Sequence, residues 1–232
     1  MIHAAFDVLT LASAIVAGWA ARRYLFAPGD ARLTTEQRYV YAAWVVPGLI
    51  VGSLLAGSGN LALGGNDHLF GKSVLGGLIG AIVAAELFKA RHGIRESTGL
   101  VWVPSLAVGI IIGRIGCYQA GLDDYTYGTP SDLPWAHDFG DGIARHPVQL
   151  YESIAMLLFL MLFVRGVARR EPVWLGQGFY LFALWYAVQR FAWEFLKPYA
   201  GVLGPLNLFH LLCLLLAGYA MAMMRGRERV HA

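Results

Sequence analysis

Arg114 lies inside the apolar stretch GIIIGRIGC, and Arg190 and Glu194 lie inside LWYAVQRFAWEF. An ionisable side chain within such a span costs at least a few kcal/mol unless it faces a protein-lined cavity, so these residues mark a candidate functional site. Arg190 and Glu194 are four apart and share one face of a helix. Tyr186 and Lys197 extend that face into a polar stripe. A structural ion pair bracing two helices fits the same spacing. A second group of candidates fills the segment from Tyr118 to His146, which carries Asp123, Asp124, Asp132, His137, Asp138, Asp141 and Arg145. A connection of that length in a chain of short loops is commonly functional. Asp132, Asp138 and Asp141 read as an ordinary solvated surface. A metal site from His137, Asp138, Asp141 and His146 matches none of the common ligand spacings.

The elements that position these residues follow from composition. Of 232 residues, 57% are hydrophobic and 14% charged, and the mean hydropathy is +0.54. Those values lie outside the soluble globular range, and the solvent for most of the chain is lipid. Each span needs about 20 apolar residues. Apolar runs at about 4–20, 39–56, 73–88, 99–117, 147–164, 174–196 and 206–224 predict an all-α polytopic membrane protein with about seven transmembrane helices, a single membrane domain over 1–232 and an outer loop at 118–146.

Arg22, Arg23, Arg32 and Arg38 follow the first run, Lys89, Arg91 and Arg95 the third, Arg165, Arg169 and Arg170 the fifth, and Arg225, Arg227 and Arg229 the seventh. Cytoplasmic loops are the ones enriched in Lys and Arg, so alternation through seven spans places the N-terminus outside and the C-terminus in the cytoplasm. The remaining basic residues, Lys72, Arg114, Arg145, Arg190 and Lys197, then fall near outer helix ends or in outer loops. They are candidates for chemistry. No Lys or Arg precedes Arg22, so the basic leader of a signal peptide is missing and the first helix is expected to be retained. Gly48, Gly52 and Ala56, Gly76, Gly80 and Ala84, and Gly109 with Gly113 place small residues four apart, which suits close helix packing in lipid.

Several chemistries drop out. No run of five or six like charges suggests nucleic acid. Cys117 and Cys213 adjoin apolar runs, the wrong pattern for a disulfide scaffold. Gly71-Lys72-Ser73 lacks a glycine at phosphate-loop spacing, since Gly65 is one residue too distant, and no G-x-S-x-G nucleophile motif occurs. No cofactor or metal is indicated.

GRIGCYQAG at Gly113 to Gly121, followed by RHPVQLYES at Arg145 to Ser153, resembles the bacterial prolipoprotein diacylglyceryl transferases. In that family a Gly-Arg-Ile-Gly signature ends one helix, HPxQLYE opens the next, and a later span carries Arg and Glu four apart. Here these are Gly113 to Gly116, His146 to Glu152, and Arg190 with Glu194. LGGLIG at Leu75 to Gly80 resembles the family's third helix, so the similarity covers roughly 70–224. The resemblance implies a seven-helix protein of the bacterial cytoplasmic (inner) membrane. It implies transfer of a diacylglyceryl group from phosphatidylglycerol to the cysteine thiol of a lipoprotein precursor, at the outer membrane face. Arg114 and Arg190 would hold the phosphodiester, because a guanidinium grips phosphate oxygens in a planar fork. His146 is the first candidate for the base that deprotonates the thiol, with Glu152 or Glu194 next. Arg145, Gln149 and Tyr151 are expected to bind substrate.

The sequence departs from the family where Leu75 replaces a histidine, Cys117 and Ala120 replace asparagines, and Gly121-Leu122-Asp123 replaces Gly-Glu-Leu. Asp123 or Asp124 would supply the missing acid. Cys117 as a nucleophile beside Arg114 is a further reading, against the simpler one of a small buried cysteine. The motifs of the family's first two helices are not recognisable. These departures leave open a different donor or acceptor, and also a phospholipid carrier without catalysis.

Overall fold

The computed structural model describes residues 2–30, 33–64 and 70–231. Arg32 and Gly65 lie outside the described residues, as do the side chains of Asp124, Arg227 and Arg229. The long helices are α1 (Ile2–Tyr24), α2 (Thr35–Leu63), α3 (Val74–Arg91), α4 (Val103–Ala120), α5 (Val148–Ala168), α6 (Pro172–Glu194) and α7 (Leu208–His231), one for each predicted apolar run. Five stretches among the described residues are long and apolar enough to cross a membrane: Ala5–Tyr24, Thr35–Leu63, Leu100–Asp123, Val148–Ala168 and Leu208–Gly226. The shorter α3 carries Glu86, Lys89 and Arg91, and α6 carries Arg190 and Glu194. A small antiparallel hairpin, β1 (His137–Asp138) with β2 (Ala144–Arg145), adds the only named strands among the described residues.

Two compact units divide the chain, the first formed by Met1–Ala27 with Gly99–Pro198 and the second by Pro28–Thr98 with Tyr199–Ala232. In the first, α1 packs on α4, α4 on α5 and α5 on α6. Small residues set these approaches: a side chain at Gly18 would strike Ser105, one at Gly116 would strike Phe6, and one at Gly166 would strike the Trp174 ring. Buried Phe159 anchors the α5–α6 contact, with ring centroids 5.8 Å from Phe182, 5.9 Å from Trp185 and 6.0 Å from Trp174. The Trp185 Nε1–H donates to the Ala155 carbonyl at 3.0 Å, so its polar edge is satisfied without water.

The second unit is built on α2, α3 and α7. Thr34 and Gln37 form a capping box at the start of α2, with the Gln37 N–H donating to Thr34 Oγ1 at 3.2 Å and the Thr34 N–H to Gln37 Oε1 at 3.0 Å. Gly48 faces Gly80 and Ala84, Gly52 faces Gly76 and Gly80, and Gly57 faces Gly71, all at distances no Cβ would tolerate. The glycine spacing therefore serves backbone-to-backbone packing. The Tyr219 hydroxyl of α7 donates to Glu86 Oε1 of α3 at 2.7 Å, and Lys89 donates to the same carboxylate.

Candidate active site

Three helices and one turn of the first unit place five ionisable side chains together. Glu152, in the second turn of α5, is fully buried. Arg114 of α4 places Nε 2.7 Å from its Oε2, Arg190 of α6 places Nη1 2.5 Å from its Oε1, and Lys197 places Nζ 2.6 Å from the same Oε1. Arg190 also pairs through Nη2 with Glu194 Oε2 at 3.0 Å, and Lys197 Nζ lies 3.9 Å from that oxygen. The exposures of Arg114, Arg190, Glu194 and Lys197 are 5%, 3%, 1% and 5%. At that burial charges interact strongly, and removing one partner leaves an uncompensated ion.

Local structure aims each of these groups. α4 ends at Gly121, whose φ of +68° favours glycine, with its N–H turned back to the Cys117 and Tyr118 carbonyls. α6 places Tyr186, Gln189, Arg190, Trp193 and Glu194 on one face by their three- and four-residue spacing. Lys197 follows in a turn held from outside, where the Thr129 N–H donates to the Leu196 carbonyl at 2.7 Å.

The other predicted residues divide. Arg145 and Asp141 form a two-bond clamp, Nη1 to Oδ1 and Nη2 to Oδ2, both at 2.7 Å, and the guanidinium lies 5.2 Å from the centre of the Tyr127 ring. The hydrogen bond from Arg145 holds the Asp141 carboxyl below the usual carboxylate range, and Asp141 in turn raises the guanidinium. This places Arg145 in the hairpin's own structure. Asp138 Oδ1 accepts the N–H groups of Gly140, Asp141 and Gly142, closing the hairpin turn. Asp123 is exposed at the rim of a hollow of about 690 Å³, which is lined by Tyr118, His137 and Phe139 among others.

His146 is partly exposed just before Pro147, and α5 starts without a side-chain cap. Its Nδ1 is 3.5 Å from the Tyr151 hydroxyl, which accepts a hydrogen bond from Trp135 Nε1 at 2.7 Å. The Tyr151 ring packs on Trp193 at 5.3 Å. Gln149 is fully buried, with Nε2 3.5 Å from Thr126 Oγ1 and its Oε1 without a hydrogen-bond partner among the described residues. Both amide atoms of buried Gln189, and Nε1 of Trp193, share that condition. Gln189 and Trp193 were not singled out from the sequence, although helical spacing from Tyr186 would have found the first and from Arg190 the second. Leu75, where the resemblance places a histidine, is a core residue of the second unit at 1% exposure.

A family profile described as prolipoprotein diacylglyceryl transferase matches residues 6–225, reaching well ahead of the motifs that carry the resemblance. A phosphatidylglycerol–prolipoprotein diacylglyceryl transferase of Nitratidesulfovibrio vulgaris (strain Miyazaki F) is 38% identical over 161 residues, 65% of this chain and 58% of the relative. The protein of that name in Geobacter sulfurreducens is 35% identical over 174 residues, 69% of this chain and 64% of the relative. One in N. vulgaris Hildenborough is 33% identical over 202 residues, 81% of this chain and 74% of the relative. The chain thus spans about three fifths of the length of the first two relatives. No solved structure matches. A profile match over nearly every helix, together with identities above 30% that extend across most of the chain, shows that this protein belongs to the prolipoprotein diacylglyceryl transferase family.

Proposed function

We propose that this protein transfers the diacylglyceryl group of phosphatidylglycerol to the cysteine thiol of a lipoprotein precursor at the outer face of the bacterial cytoplasmic membrane. The observation that carries this reading is the buried cluster on Glu152, where Arg114, Arg190 and Lys197 converge on one carboxylate. Cations gathered in a dry site are what a phosphodiester headgroup requires, and they also stabilise the charge that grows on the departing phosphate. The thiolate attacks the glyceryl carbon bonded to the phosphate oxygen. A carbon–sulfur bond forms, the carbon–oxygen bond breaks, and its electron pair leaves with glycerol phosphate.

Both oxygens of Glu152 are already taken up by three cations, which gives it the role of aiming them. His146 takes the thiol proton in this reading. It is partly exposed at the start of α5, where an acceptor peptide can reach it, and a neutral imidazole nitrogen can accept a proton. Glu194 is the alternative base. Gln149 Oε1 supports recognition of a headgroup hydroxyl, because a buried acceptor without a protein donor gains most from one supplied by a ligand. Seven spans with the N-terminus outside complete the reading, since this orientation puts Arg114, Arg190 and Lys197 towards the outer leaflet and the clustered basic loops in the cytoplasm.

The test incubates the protein in nanodiscs with labelled phosphatidylglycerol and a peptide carrying a lipoprotein cysteine motif. Mass spectrometry should find lipidated peptide and glycerol phosphate in equal amounts, and Arg114→Ala and Arg190→Ala should abolish both. Lipid binding without product would refute transfer and support a carrier.

A further inference from the structure

Among the described residues the cluster sets three cations, Arg114, Arg190 and Lys197, against two carboxylates, Glu152 and Glu194. With every group ionised it carries one net positive charge in a place closed to water. A phosphodiester carries one negative charge, so its arrival neutralises the group. Of the three cations only the lysine can give up its proton, because guanidinium stays charged at any working pH. Resting on the reading that this cluster receives the donor headgroup, we propose that Lys197 is a third ligand of the donor phosphate and takes up a proton as the phosphate binds.

The geometry supplies the exchange. Lys197 Nζ and Arg190 Nη1 share a single oxygen, Glu152 Oε1. If the ammonium turns to a phosphate oxygen, Glu152 keeps both guanidiniums and the carboxylate stays paired. An ammonium on a four-carbon stem can make that turn, whereas the Arg190 guanidinium is held as a fork across Glu152 and Glu194 at once. The groups acting on Lys197 are Arg114 from α4, Glu152 from α5, and Arg190 and Glu194 from α6. Lys197 itself lies past the end of α6, outside the membrane-spanning helices. Burial first, and then Arg190, push its ammonium down to about 8, against the opposing pull of Glu152 and Glu194. An anion placed beside it reverses that shift. Above the depressed value the empty site has lost the proton and the occupied site holds it, so binding must weaken as pH rises.

The experiment titrates short-chain phosphatidylglycerol, whose charge is constant over the range, into the protein in phosphatidylcholine nanodiscs. Calorimetry is run from about pH 7 to about pH 9.5, in two buffers of different ionisation enthalpy. Kd should be flat at the acid end and weaken by roughly tenfold per pH unit once the free lysine titrates, with uptake rising towards one proton per lipid bound. Lys197→Arg, which cannot titrate, should bind with a Kd that does not change over the same range. A flat Kd without proton uptake in the parent protein, or the same slope persisting in Lys197→Arg, would overturn the proposal and leave the phosphate site standing. Absence of binding at every pH would overturn both.

Discussion

Glu152→Gln tests whether the buried carboxylate organises the site. Glutamine keeps the size and one acceptor oxygen but removes the charge, and it turns an N–H₂ group towards the cations. The carboxylate is 0% exposed and has ion-pair distances of 2.7, 2.5 and 2.6 Å to Arg114, Arg190 and Lys197. Breaking a buried pair from one side costs roughly 3–5 kcal/mol, because the partner charge stays behind without compensation. Here three partners stay behind, and Lys197 can shed its proton to reduce the strain, so the cost should fall in that range and not at three times it. The folded population should drop by roughly two to four powers of ten. Turnover should fall at least about a hundredfold, since the guanidiniums lose the group that aims them. Denaturant unfolding followed by tryptophan fluorescence gives the first quantity, and the labelled-lipid transfer assay the second. A double-mutant cycle with Arg190→Met should show coupling of at least about 1 kcal/mol. If Glu152→Gln unfolds within about 0.5 kcal/mol of the parent and transfers lipid at the parental rate, the carboxylate is not the organising centre and the site reasoning fails.

Arg190→Lys should retain charge yet lose at least about tenfold in turnover, because one ammonium cannot bridge Glu152 and Glu194 as the fork does; equal rates would remove geometry from the argument. His146→Gln should lower turnover by roughly 10²–10⁴-fold with lipid binding intact, and full activity would transfer the base to Glu194. The Asp141 carboxyl titrates lower in the folded protein, so its contribution is present above the ordinary carboxylate range and is lost as pH falls through the folded value. Hydrogen exchange at the hairpin should therefore accelerate in acid, and Asp141→Asn should be fast at every pH; an acid step that survives in the variant would assign it elsewhere. Gly80→Leu should destabilise the protein by more than about 2 kcal/mol, since its Cβ would collide with the Gly48 carbonyl; an unchanged melting curve would mean the helices can part at no cost.

The helices were legible because lipid demands continuous apolar runs, and each predicted run contains a helix. Their ends were less so. α2 starts at Thr35 and continues to Leu63, beyond the predicted 39–56, although Thr34 and Gln37 carry a readable capping signal. Within the site, the four-residue spacing of Arg190 and Glu194 announced their pairing. The central place of Glu152 could not be read from spacing, because its partners Arg190 and Lys197 lie 38 and 45 residues away. Arg145 and His146 are adjacent in the motif. They sit at the end of a strand, where successive side chains take opposite faces, so Arg145 turns to Asp141 and His146 towards Tyr151. The hairpin itself was hidden, since strands of two residues leave no alternation to detect.

The glycine seam between α2 and α3 divides tolerance to mutation by helix face. On the side where Gly48, Gly52, Gly76 and Gly80 meet, any added carbon collides with backbone. On the outward side Val51, Leu55, Val83 and Leu87 are 54%, 71%, 54% and 53% exposed, and any apolar side chain serves there. A saturation library of these two helices should therefore keep roughly one position in four close to invariant, at helical period, while the intervening ones drift freely among aliphatic residues. Sequence change in this part of the chain would then record contact with a neighbouring backbone on one side and open surface on the other.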